Sequence, residues 1–102
     1  MTQKTSVIII EDEKDIRDGY CFLINKSHEF SCKGFATGEE ALEYLAKHEA
    51  SIVLMDVNLP GADGITCTRI IKSSFPKTLV MMFTIYENNE NVFKALEAGA
   101  NG

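Results

Sequence analysis

Three short runs in this chain are apolar almost without a break, Val7 to Ile10, Ile52 to Met55 and Leu79 to Phe83, and each is built from branched or large side chains. A strand open to water on one side alternates polar with apolar residues, so unbroken runs predict strands buried on both faces. That burial requires helices above and below a sheet. A fourth, roughly alternating segment, Phe30 to Ala36, also reads as a strand, and Gly34 within it points to a place near the sheet edge.

Helical patterns fill the gaps. Ile16, Tyr20, Leu23 and Ile24 form one stripe of a helix from about Lys14 to Lys26. Thr37-Gly-Glu-Glu40 has the spacing of a capping box and opens a second helix, with Ala41, Leu42, Leu45 and Ala46 on its buried side. A third runs from Gly64 to Ser73 and carries Ile65, Ile70 and Ile71; Pro76 bars its continuation. The fourth is expected from Asn89 to Ala98, with Val92, Phe93 and Leu96 inward and Gly99 as a left-handed cap. Strict strand-helix alternation with short connections specifies right-handed crossovers and a parallel sheet, so the fold class is α/β. With 102 residues the chain makes one domain, 1–102. It stops at Gly102, where a further strand is expected, and so reads as C-terminally incomplete.

Ten Lys and Arg against fifteen Asp and Glu leave a net charge of -5, the wrong sign for a surface that neutralises nucleic-acid phosphates. No apolar run reaches the length of a membrane span or of a signal-peptide core. The expectation is a cytoplasmic protein with no direct nucleic acid binding and no membrane contact. Cys21, Cys32 and Cys67 include no C-x-x-C pair and suggest neither a disulfide framework nor a zinc clip; small buried hydrophobes are expected instead. Met55, Met81 and Met82 read as core packing, and His28 and His48 as surface residues at helix ends.

Reactive groups in an open parallel sheet gather at the carboxyl ends of its strands. Here the first strand runs into Glu11-Asp12, the third into Asp56 and the fourth into Thr84. Taken singly these residues have ordinary readings: acids favoured at a helix start, a turn residue before Pro60-Gly61, a β-branched residue closing a strand. Together they put three carboxylates and a hydroxyl on one rim. Carboxylates that close raise one another's pKa unless a cation joins them, and an all-oxygen ligand set suits a hard ion such as Mg²⁺. Asp56 is then placed as a nucleophile toward a phosphoryl group, with Thr84 within reach of a phosphoryl oxygen.

Val7-Ile-Ile-Ile-Glu-Asp-Glu13, the segment Ile52-Val-Leu-Met-Asp-Val-Asn-Leu-Pro-Gly-Ala-Asp-Gly64, Met82-Phe-Thr84 and Glu97-Ala-Gly-Ala-Asn-Gly102 resemble the motif blocks of bacterial two-component response-regulator receiver domains, in order and spacing. The resemblance covers essentially the whole chain. It implies a flavodoxin-like (CheY-like), doubly wound, three-layer α/β/α fold with strand order 2-1-3-4-5, of which the fifth strand and fifth helix lie beyond this chain. It implies that Glu11 and Asp12 hold Mg²⁺, that Asp56 is the phosphoacceptor and also a metal ligand, that Asn58 lends a backbone carbonyl to the metal, and that Thr84 is the switch hydroxyl. A sensor histidine kinase or phosphotransfer protein is the implied phosphoryl source. The Phe83-Thr-Ile-Tyr-Glu-Asn88 stretch and the Glu97 to Gly102 ending most resemble receivers joined to LuxR-type DNA-binding domains, which implies transcription regulation through a domain absent here. The family's fifth-strand Lys and its aromatic switch residue fall beyond Gly102. Ile85 is bulkier than the small residue usual at that place.

Three functions compete on these residues. The leading one is a phosphorylation-operated signalling switch, not an enzyme beyond self-phosphorylation and self-dephosphorylation at Asp56. The second is an aspartyl-phosphate phosphatase, which the neutral Asn58 disfavours where such enzymes carry a second acid. The third is a protein-interaction module that is never phosphorylated. With the fifth strand missing, the fourth is expected to be an open edge, favouring a homodimer or domain-swapped oligomer.

Overall fold

A computed structural model describes residues 4–56, 64–83 and 99–102. The elements follow in the order β1 (Thr5–Ile10), α1 (Lys14–Asn25), β2 (Phe30–Phe35), α2 (Gly38–Leu45), β3 (Ile52–Asp56), α3 (Gly64–Ser74) and β4 (Leu79–Phe83). All strand pairs are parallel, in the order β2-β1-β3-β4. This is the expected flavodoxin-like order as far as β4. The helix expected over 89–98 lies outside the described residues.

The alternation of side chains along each strand sorts the core. Ile8 and Ile10 of β1, Val53 and Met55 of β3 and Val80 of β4 share one face of the sheet and are buried against Ala41 and Leu45 of α2 and Cys67 and Ile71 of α3. Each isoleucine, valine, leucine or methionine among them contributes roughly 1.5–3 kcal/mol when fully removed from water. The opposite face is covered less evenly. Val7 and Ile9 in the middle of the sheet are buried, but Leu79 and Met81 of β4 remain 46% and 44% exposed. Burial on both faces therefore holds at the centre of the sheet and fails at β4, and Met81 is not core packing.

Helix α1 keeps Ile16 and Ile24 of the expected stripe half-buried and exposes the other two members. Leu23 is 63% exposed, and Tyr20 is half-exposed with its ring 5.5 Å from that of Phe83. Beside Ile16 and Ile24, Arg17 and Cys21 are also half-buried and lie against Gly34 of β2. A stem of methylenes and a thiol do this packing, and a pattern of apolar letters does not register either of them. In α2, Thr37 accepts from the Glu40 N–H at 3.2 Å and donates to Glu40 Oε1 at 3.1 Å, so the cap forms at the expected place. Ala46, however, is exposed.

The main chain of edge strand β2 is bracketed from outside. The Cys32 N–H donates to Asn25 Oδ1 at 2.7 Å, and Asn25 Nδ2 donates to the Cys32 carbonyl at 3.0 Å. Beyond β4 the last residues run alongside the strand: the Asn101 N–H donates to the Val80 carbonyl at 2.7 Å, and the Met82 N–H to the Gly102 carbonyl at 2.7 Å. The Val80 N–H donates to Asn101 Oδ1 at 3.0 Å. The expected open edge at β4 is thus partly occupied by the chain itself. Gly99, entering this stretch, has φ +114°, a left-handed conformation that favours glycine.

Candidate functional site

Strand register brings the acids together. Ile10 of β1 pairs with Met55 of β3, so Glu11, one residue past the strand, stands level with Asp56 at the end of β3. The Glu11 N–H prolongs the ladder on the other side, donating to the Phe35 carbonyl at 3.0 Å. Arg17 holds the turn that follows: its Nη1 donates to the Glu11 carbonyl at 2.9 Å and to that of Asp12 at 3.4 Å. Ligand oxygens of Glu11, Asp12 and Asp56 all lie within 4.8 Å of one another. Glu11 and Asp56 are buried, and Asp12 opens to solvent.

Glu11 is the unusual member. It is 1% exposed, as deep as the core isoleucines. Its Oε1 accepts from the Glu13 N–H at 3.1 Å, and its Oε2 is buried without a hydrogen-bond partner. Burial pushes its pKa up to about 7, with the neighbouring Asp56 and Asp12 adding to the rise and the Glu13 N–H opposing it. Sequence reasoning picks out the residue but not this burial. An unpaired, buried carboxylate oxygen facing two more acids is costly as an anion and is relieved by a cation, so these side chains fit a hard divalent ion such as Mg²⁺.

Of the five site residues expected from the sequence, the structure brings Glu11, Asp12 and Asp56 together; Asn58 and Thr84 lie outside the described residues. A separate cleft of about 1020 Å³ lies at the amino-terminal end of the sheet, lined by Ser6, Ala50, Ser51 and Thr78 among others, and includes none of the three carboxylates. Asp56, at the carboxyl end of β3, lies at the opposite rim.

The parallel sheet has counterparts among known proteins. The family profile described as response regulator receiver domain matches residues 7–102. The chain belongs to this family. Among curated relatives, the transcriptional regulatory protein LnrK of Bacillus subtilis (strain 168) is 35% identical over 97 residues, covering 94% of this chain and 44% of the relative. The oxygen regulatory protein NreC of Staphylococcus haemolyticus (strain JCSC1435) is 30% identical over 98 residues, covering 94% and 45%. The receiver chain thus spans less than half the length of these relatives. A two-component response regulator of the LuxR family from Aurantimonas sp. SI85-9A1 superposes with a TM-score of 0.87 at 30% identity, covering 98% of this chain and 72% of that one. Vibrio cholerae CheY4, at 22% identity, shares the fold with a TM-score of 0.89, covering 98% of this chain and 84% of that one. The receiver fold and the LuxR-type kinship read from the motif blocks both stand. Among the described residues, no helix is long and apolar enough to cross a membrane.

Proposed function

We propose that residues 1–102 form a phosphoacceptor receiver domain that takes a phosphoryl group on Asp56 from a histidine kinase or phosphotransfer protein. The observation that carries this reading is the buried, unpaired Oε2 of Glu11 beside the carboxylates of Asp12 and Asp56. Glu11, Asp12 and Asp56 would hold Mg²⁺, with Asn58 lending its backbone carbonyl. When bound, the ion would neutralise the charge of the carboxylates and of the entering phosphoryl oxygens.

A carboxylate oxygen of Asp56 attacks phosphorus of a phosphohistidine as the P–N bond breaks and imidazole departs with its electron pair. The product is an acyl phosphate on Asp56. Glu11, anchored by the Glu13 N–H, and the turn braced by Arg17 keep the rim in shape while this happens. Thr84 donates its hydroxyl to the new phosphoryl group, and the added charge redistributes a partner-binding face. The protein works in the cytoplasm as part of a longer transcription regulator whose DNA-binding domain is not in this chain, and it acts as a switch instead of a turnover enzyme.

The test uses a small phosphoryl donor such as phosphoramidate or acetyl phosphate. With Mg²⁺, the chain should gain one phosphoryl group, and Asp56→Asn should gain none. Labelling that survives in Asp56→Asn, or that is indifferent to chelation of the metal, would reject the assignment.

A further inference from the structure

The sulfurs of Cys21, in α1, and Cys32, in β2, stand 3.1 Å apart, within about 1 Å of the length of a disulfide bond. The sequence-based expectation of buried packing fits Cys67, but this pair is only half-buried. Two features of the surroundings hold the thiols together. Asn25, one helical turn after Cys21, brackets both main-chain groups of Cys32 and so fixes α1 against the strand at that residue. Gly34, two residues beyond Cys32 on the same face of β2, leaves room for the sulfur of Cys21: a side chain there would begin 3.2 Å from it.

We infer that Cys21 and Cys32 are a redox-sensitive pair that closes reversibly into an intramolecular disulfide, tying α1 to β2 when the protein meets hydrogen peroxide. Burial, and then the adjoining Cys21, push the Cys32 thiol up to about 12. One sulfur of the pair, as a thiolate, attacks one peroxide oxygen and the O–O bond breaks; the departing hydroxide takes up the proton that this thiol gave up, leaving water and a sulfenic acid. The other sulfur then attacks the sulfenic sulfur; its proton joins the departing hydroxide as water, and the S–S bond closes. In sum two thiols are oxidised and one peroxide is reduced to two waters. A dithiol reductant reverses the step, in keeping with the transient, sensing character of disulfides in reducing compartments.

The experiment treats the purified chain with stoichiometric hydrogen peroxide and follows free thiols and intact mass without reductant. Two of the three thiols should disappear, the mass should fall by two hydrogens, and a protease digest should yield a peptide joining Cys21 to Cys32; dithiothreitol should restore all three. Cys21→Ser and Cys32→Ala should each abolish the mass loss, whereas Cys67→Ser should leave it intact. Retention of all three thiols, gain of oxygen without a cross-link, a bridge that includes Cys67, or cross-linked dimers alone would overturn the inference. The readout is independent of phosphorylation, so failure of the Asp56 assignment and failure of this one are separable.

Discussion

The guanidinium of Arg17 donates to the main-chain carbonyl of Glu11 at 2.9 Å, from a helix back to the strand end that precedes it. The stem that delivers it lies against Gly34: a side chain at that position would begin 2.8 Å from Arg17 Cγ. The glycine in β2, the arginine in α1 and the buried acid after β1 are therefore one mechanical unit.

Gly34→Ala tests this unit. The new methyl forces the Arg17 stem aside, an overpacking cost of ~1–3 kcal/mol, partly offset by ~0.4–1 kcal/mol from a stiffer unfolded chain. A net loss of about 1 kcal/mol is expected as a lower urea midpoint. An unchanged midpoint would mean that the arginine is not held by this contact.

The raised pKa of Glu11 makes metal-free stability depend on pH in a defined window. Because the folded state favours the protonated acid, its contribution is full below pH 4.5 and is lost as pH rises through about 7. At ~1.4 kcal/mol per pKa unit, the loss is on the order of 3 kcal/mol at most. Urea melts with chelator across this window should show the decline, Mg²⁺ should counter it, and Glu11→Gln should flatten it while weakening the response to Mg²⁺. A chelated protein equally stable at both ends would contradict the burial of this acid.

Thr37→Ala removes the hydroxyl that accepts from the Glu40 N–H at the start of α2. The expected cost is ~1 kcal/mol, with Thr37→Ser close to wild type. Equal losses in both variants would argue that packing, not the cap, is at stake.

Leu79 and Met81 leave an apolar strip on the less covered face of β4. Self-association through that strip is expected to rise with concentration in sedimentation runs, and Leu79→Lys with Met81→Lys should weaken it. A monomer at all concentrations would remove this face from consideration.

Legibility followed the physics of each signal. Continuous apolar runs placed β1, β3 and β4 to within a residue or two, since runs of four or five such residues are strand-length and too short for a helix. The acids of the site were legible because Glu11 and Asp56 interrupt apolar strands at their carboxyl ends, where charge is otherwise misplaced. The full inward face of α1 was not, because Arg17 and Cys21 pack beside the half-buried Ile16 and Ile24 while Leu23 stays in water. Nor was the thiol pair: it depends on how a helix is rotated over its strand, which spacing along the chain does not encode.

Asparagine side chains stand at both borders of the sheet, Asn25 outside β2 and Asn101 outside β4, each occupying main-chain groups that a visiting strand would need. A strand adding itself to β2 would first have to displace Asn25 from both main-chain groups of Cys32.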